Sequence, residues 1–393
     1  MQLFQCQRFR GPLERRSCKL THLPITINDE PSFQYRGVMI DTARHYLPFH
    51  MILETIDALM YNKLNVLHWH ITDEDSFPLV LRRHPEIAEY ASFEEGSVYT
   101  VDQAKEVVRY AMVRGVRVVP ELDSPGHAAS WGRAPANHEV ACSPGHYMGP
   151  LDVTLESTYT LVKEVFAEIM EIFPDPVLHL GGDEVALRCL VNKTQLMASE
   201  REQLKSGTPA EFELYYRRRQ HKIIKELDPK KTPIYWINNG NIQLEPNDMI
   251  HWWGGTAIPR TDHKIVASFY GQYYLDLGVG NYLGSPYGSY STWMDFFNQN
   301  SLKRLISNSP AKENVIGGVV CLWSEMSNRY THHPKIWIRS SAFAERMWNP
   351  SDENKVKPEG LRRVTAHERL MNRRGIPTAP ATCQQCEFAP QFC

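Results

Sequence analysis

The sequence predicts an α/β protein built as a closed (β/α)8 barrel. Three observations predict it: strand-sized apolar runs alternate with helical stripes, there are eight such runs, and run after run ends in polar or aromatic side chains. Alternation implies parallel strands, and eight units suggest closure rather than an open sheet.

The first run, Arg36-Gly37-Val38-Met39-Ile40-Asp41, ends in a carboxylate and is followed by Ile52, Ile56, Leu59 and Met60 at helical spacing. The second, Val66 to Asp73, leads to a helix opened by a Thr100/Gln103 capping box and carrying Ala104, Val107, Val108 and Ala111. The third begins at Val116 and ends at Glu121 and Asp123; a helix follows with Val162, Val165, Phe166, Ile169 and Phe173 on one face. Val177-Leu178-His179-Leu180 runs straight into Gly181-Gly182-Asp183-Glu184. The rhythm continues through Pro233–Trp236, Met249–Trp253, Ile265–Ser268 and Gly318–Glu325. The links after Trp236 and Trp253 are too short for full helices.

Composition narrows the function classes. The 393 residues are 42% apolar, carry a formal net charge of -2 and contain no long run of Lys or Arg, so nucleic acid and anionic membrane are poor partners. No apolar run is long enough to span a bilayer. The first residues lack the order of a signal peptide. Eight cysteines are scattered without zinc spacing: Cys142 and Cys189 flank one segment, and Cys383, Cys386 and Cys393 crowd the C-terminus. One glycosylation sequon stands at Asn192.

The strand ends carry Asp41 with Arg44, Asp73, Asp123 with His127, Asp183 with Glu184, Trp236, Trp253, and Trp323 with Glu325. In such barrels that end holds the active site. Alone, Asp183-Glu184 reads more readily as a helix N-terminus favoured by the dipole; the ring of polar strand ends reverses that in favour of chemistry, with one carboxyl donating a proton and the other holding a developing cation. Trp236, Trp253 and Trp323 are candidates to wall a pocket for a sugar face or acyl group, whereas Trp69, Trp252, Trp337 and Trp348 read as packing. A rival reading takes His68 and His70, with His127 and Asp183, as a zinc amidohydrolase site. Because Ile71-Thr72-Asp73 continues the strand, those histidines are expected deep in the barrel as hydrogen-bonded residues, and no metal or other cofactor is expected.

From Tyr35 to Trp348 the chain resembles glycoside hydrolase family 20, the β-N-acetylhexosaminidases, especially the lysosomal type. The resemblance rests on Asp41-Thr42-Ala43-Arg44-His45-Tyr46, His68-Trp69-His70, Ser76-Phe77-Pro78, Pro125-Gly126-His127, His179-Leu180-Gly181-Gly182-Asp183-Glu184 and Leu322-Trp323-Ser324-Glu325. It implies a retaining exo-hydrolase of terminal N-acetylglucosamine or N-acetylgalactosamine whose nucleophile is the substrate's own acetamido oxygen. On that resemblance Glu184 is the general acid/base, Asp183 orients the acetamido group and stabilises the oxazolinium, Tyr274 bonds its oxygen, and Asp73 with His127 forms a relay behind Glu184. Trp236, Trp253 and Trp323 wall the acetamido methyl and ring face; Arg44, Asp276 and Glu325 grip sugar hydroxyls; Leu277, where a basic residue would favour 6-sulfated sugars, implies neutral substrates. It further implies a Cys142–Cys189 disulfide, lysosomal or secreted localisation, oligosaccharide or glycoconjugate substrates, and leaves a homodimer open. An inactive sugar-binding homologue is a further alternative. The expected organisation is residues 1–34 as the truncated remnant of an α+β domain, 35–350 as the barrel, and 351–393 as a C-terminal helix and cysteine-containing tail.

Overall fold

The computed structural model describes residues 4–8, 16–20, 24–142, 149–186, 208–240, 242–278, 288–350 and 358–382. They fall into two units, Met1–Pro31 and Ser32–Cys393. The first contains an antiparallel ribbon, β1 (Phe4–Arg8) paired with β2 (Arg16–Leu20).

The second unit holds a closed parallel barrel of β3 (Tyr35–Asp41), β4 (Val66–Thr72), β5 (Arg117–Leu122), β6 (Val177–His179), β7 (Thr232–Ile237), β8 (Met249–Trp252), β9 (Ile265–Ala267) and β10 (Val315–Leu322), with β10 closing against β3. These are the eight expected runs. Nearly every strand residue is buried, because helices cover the outer face and side chains fill the lumen. Alternation divides the core into two layers. Val38, Ile40, Leu67, Trp69 and Ile71 face the helices, while Met39, Val66, Val119, Ile234, Val266, Val319 and Cys321 fill the barrel.

Helices α1 (Phe49–Tyr61), α2 (Pro85–Ala91), α3 (Val101–Met112), α4 (Glu156–Ile172) and α5 (Pro209–Leu227) alternate with the first five strands of the barrel. Later come α6 (Trp293–Asn298), α7 (Leu302–Leu305), α8 (His332–Ile336), α9 (Arg339–Trp348) and α10 (Pro358–Arg373). The Thr100/Gln103 box closes in both directions, satisfying two N–H groups that a helix start leaves unpaired. Ile52, Ile56 and Leu59 are fully buried, whereas Met60, expected in the same stripe, lies on its flank and is exposed. Among the described residues, no helix follows β7 or β8 before the next strand, as their short links require. Trp69 packs in the core, its indole N–H donating to Thr42 Oγ1 at 2.9 Å.

The register sets the site's foundation. Asp41 pairs with His70, His70 with Glu121, and Glu121 with His179, so four polar residues share one rung across β3, β4, β5 and β6.

Candidate active site

At the C-terminal ends of the strands opens a cavity of about 490 Å³. It is lined by Arg44, His127, Asp183, Glu184, Trp253, Tyr274, Asp276, Trp323 and Glu325, with Tyr270, Leu277 and Met326. Nine of the eleven residues singled out in the sequence thus meet at one opening. Asp73 and Trp236 lie one layer beneath it. Trp236 is buried because its indole N–H donates to Glu121 Oε1 at 2.7 Å and its ring stacks on His251 at 3.8 Å. It is a floor behind Trp323, 5.9 Å away, rather than a wall.

One side of the mouth is a chain of ion pairs. Arg44 binds Asp73 at 2.8 Å and Asp41 at 3.2 Å, and its guanidinium lies 5.0 Å from the ring centre of Trp323. Asp73 Oδ2 also accepts from His70 Nε2 at 2.7 Å, and Asp73 Oδ1 lies 3.3 Å from His127 Nδ1. The opposite ring nitrogen of His127 faces Glu184 Oε2 at 3.5 Å and Asp183 Oδ2 at 3.8 Å. Burial opposes charge on Asp73, yet Arg44 and the two histidines hold it far below the usual carboxylate range. Burial likewise opposes charge on His127, but Asp73, Glu184 and Glu74 raise it well above an ordinary histidine. The His127 contact holds Glu184 low.

His127 and Glu184 both have left-handed backbone, φ 49° and 46°. For residues with a Cβ this conformation is costly and concentrates at functional sites. Gly181 and Gly182, at φ 65° and 89°, make the turn that presents Asp183; a Cβ on Gly181 would collide with Asp123 Oδ1, which accepts from the Gly182 N–H at 2.8 Å. Burial and the neighbouring Asp183 carboxylate push Asp123 well above the normal range, so it keeps its proton. Asp183 is raised by burial, with His127 and a hydrogen bond from Asp123 opposing. Asp123 therefore donates and Asp183 stays the acceptor.

The opposite side is built differently. Residues 273–275 add a short bridge to β10, Leu275 N–H donating to Cys321 O at 2.7 Å, which brings Tyr274 and Asp276 to the rim. Burial and nearby Glu325 push Asp276 up to about 7, and burial also raises Glu325. Lys335 Nζ donates to Met326 O at 2.7 Å and Ser327 Oγ at 2.8 Å, and Arg339 donates to Leu275 O at 2.6 Å, so two cations clamp the segments carrying these acids. Neither cation was picked out in the sequence, because each sits on a helix after the last strand with no motif to mark it. Asp123 and Glu121 did carry a signal, as carboxylates embedded in an apolar strand.

The histidines lie deep in the lumen. His68 Nε2 donates to Glu121 Oε2 at 2.6 Å. His179 Nδ1 accepts from Gly181 N–H at 3.1 Å, so its Nε2 donates to His251 Nδ1 at 3.0 Å, and His251 Nε2 donates to Ser268 Oγ at 2.7 Å. Burial holds both below the ordinary histidine range, in keeping with neutral rings. Among the described residues, donors close enough to share an ion group as His68/His179/His251, Asp73/Glu74/His127 and Asp123/His127/Asp183. The amidohydrolase set, with His68 and His70 joined to His127 and Asp183, is not assembled.

A model described as the glycosyl hydrolase family 20 catalytic domain matches residues 33–351. The chain belongs to glycosyl hydrolase family 20. Within that family it is similar to the β-hexosaminidase subunit beta of Felis catus (33% identity over 373 residues, 92% of this chain and 68% of that protein) and of Homo sapiens (34% over 372 residues, 92% and 65%). β-Hexosaminidase 1 of Arabidopsis thaliana is 34% identical over 379 residues, 93% and 66%. The chain spans about two thirds of the length of these relatives. Among solved structures, a family 20 β-N-acetylglucosaminidase matches with TM-score 0.72 at 27% identity, covering 89% of this chain and 78% of that one. The exo-β-N-acetylglucosaminidase of Vibrio harveyi in complex with N-acetylglucosamine shares the fold, with TM-score 0.79, 22% identity and 96% and 63% coverage. In this family 20 chain Cys142 is disulfide-bonded; Cys189, its expected partner, and Asn192 lie outside the described residues. No described helix is long and apolar enough to cross a membrane.

Proposed function

We propose that this chain is an exo-acting β-N-acetylhexosaminidase that releases terminal N-acetylglucosamine or N-acetylgalactosamine with retention, using the substrate's acetamido oxygen as nucleophile. One observation carries the reading: Asp183 and Glu184 open onto the same cavity as Tyr274, Trp253 and Trp323. Asp183, which accepts from Asp123 and lines the cavity, fits the role of acceptor for the acetamido N–H and of counter-charge to the oxazolinium. The acetamido oxygen attacks C1 as the glycosidic C1–O bond breaks, and Glu184 gives its proton to the leaving oxygen. Glu184 then takes a proton from the water that opens the ring. Tyr274 and the aromatic walls fit the acetamido oxygen and methyl, and Arg44, Asp276 and Glu325 fit the sugar hydroxyls.

The exposed Glu184 loses water contact once a sugar covers it, which raises its proton affinity and opposes the lowering by His127. Because His127 still holds Glu184 low, its acid form belongs to acidic pH, in keeping with lysosomal or secreted sites of action. Apolar Leu277 beside acidic Asp276 favours neutral sugars over 6-sulfated ones. A homodimer belongs to this reading and is checked by the mass in solution.

The test compares a chromogenic β-N-acetylglucosaminide with its 2-hydroxy analogue. Only the first is expected to be cleaved; equal cleavage defeats substrate assistance, and binding without turnover favours the sugar-binding homologue. Faster turnover of a 6-sulfated substrate than of the neutral one overturns the role given to Leu277.

A further inference from the structure

We infer that Glu121, on the barrel axis beneath the cavity, is a positioning residue for both halves of the proposed hydrolysis. One of its oxygens sets the indole of Trp236 under the aromatic walls, and the charge on the other faces the imidazole of His70, which holds Asp73 behind Glu184. The inference rests on the proposed function and adds to it a residue that touches neither sugar nor water.

Glu121 is fully buried. Oε1 accepts from the Trp236 indole at 2.7 Å; Oε2 accepts from His68 Nε2 at 2.6 Å and lies 3.0 Å from His70 Nδ1. His70 is equally buried and stands between two carboxylates, Glu121 on Nδ1 and Asp73 on Nε2 at 2.7 Å. Asp73 accepts a hydrogen bond from Nε2, while at Nδ1 the Glu121 carboxylate stands at ion-pair distance off the line of a hydrogen bond, so it favours a second ring proton by its charge. The other charged and titratable groups facing His70 are Asp123 and Asp183 at longer range, His68 and His179 beside Glu121, and Arg44 on Asp73. Burial works against an imidazolium here, and the two carboxylates overcome it. His70 as a cation fixes Asp73 as an anion, and Asp73 in turn orients His127 toward Glu184. On its other oxygen the Glu121 charge strengthens the bond that keeps Trp236 flat on His251. The shared rung of β4 and β5 makes this reach geometrically direct.

Two measurements test it. In the intact chain, imidazole ¹⁵N–¹H spectra between pH 5 and 8, assigned with His70→Asn, are expected to show His70 protonated on both nitrogens throughout; a neutral His70 at pH 6 overturns the inference. Glu121→Gln keeps the shape and an acceptor for Trp236 but removes the charge. Its kcat is expected to fall by about 10-fold or more, and the alkaline limb of the kcat profile to move down by about one pH unit as His70 loses its charge. KM for the chromogenic N-acetylglucosaminide should change less than about threefold. Trp236→Phe should do the reverse, raising KM and leaving the limb in place. A folded Glu121→Gln whose pH profile overlays that of the parent overturns the inference. If that variant does not fold, the spectrum of the parent chain decides. A parent chain without turnover defeats the functional reading, and the spectrum still decides the state of His70.

Discussion

The two sides of the mouth push the proton affinity of the same residue type in opposite directions. Asp73, on the side built by β3 to β6, and Asp276, beside β10, are both buried. Asp73 faces Arg44, His70 and His127 and is held far below the normal range; Asp276 is pushed up to about 7 by burial and, as its largest charged influence, by Glu325. Burial alone therefore does not set proton affinity; what faces the carboxyl does. The cations on the second side exist, but Lys335 and Arg339 spend their donors on Met326, Ser327 and Leu275 rather than on the acids. The charge-balanced side suits proton transfer, and the protonated side suits a grip on neutral hydroxyls.

Substitutions across the two sides test that division. The largest expected effect is at the proposed proton-transfer group: Glu184→Gln should lower kcat by roughly 10²–10⁴-fold while product binding, measured by calorimetry, stays within about threefold of the parent. Asp183→Asn should cost roughly 10²–10³-fold in kcat and weaken N-acetylglucosamine binding as well, because an amide cannot serve as counter-charge. Asp73→Asn comes next, with roughly a 10-fold to 10²-fold loss in kcat and little change in KM, since Asp73 acts through His127 and does not reach the cavity. Equal kcat losses for Asp73→Asn and Asp276→Asn would erase the distinction between the sides.

How far the sequence carried this picture depends on which physical signal each feature leaves. The eight strands were legible because a parallel barrel buries both strand faces and leaves continuous apolar runs, and helix α3 because its capping box is local. Asp183, Glu184 and Arg44 were legible as polar residues at strand ends. The floor role of Trp236 was not, because it follows from a bond to Glu121 across the barrel, 115 residues away in sequence. Nor was the proton held by Asp123, which needs the approach of Asp183 and the left-handed turn at Gly181 and Gly182. Lys335 acts on a loop carbonyl and a hydroxyl just upstream and Arg339 on a carbonyl 64 residues away, and periodicity says nothing about either. Tyr274 and Asp276 came from resemblance alone; the bridge that presents them beside β10 is too short to leave a strand pattern.

The smallest expected effect is also the sharpest on the protonated side. In the unfolded chain an Asp titrates near 3.9, whereas folded Asp276 titrates at about 7. Above pH 7 the folded protein carries an ionised, buried carboxylate beside Glu325. As pH falls through 7 the folded state takes up a proton that the unfolded state does not bind until about pH 4, so stability rises toward acid and the penalty is gone below the unfolded value. Asp276→Asn has no such titration. It should therefore be more stable than the parent at pH 8, by roughly 2–4 kcal/mol or a few degrees in Tm, and should match it at about pH 4. The Asp73→Asn variant should show the opposite sign at pH 8, because it removes an anion that Arg44, His70 and His127 stabilise. Thermal unfolding of the two variants at both pH values is the check, and a loss of stability at pH 8 in Asp276→Asn would mean that the acid is held by a cation after all, leaving the two sides of the mouth alike.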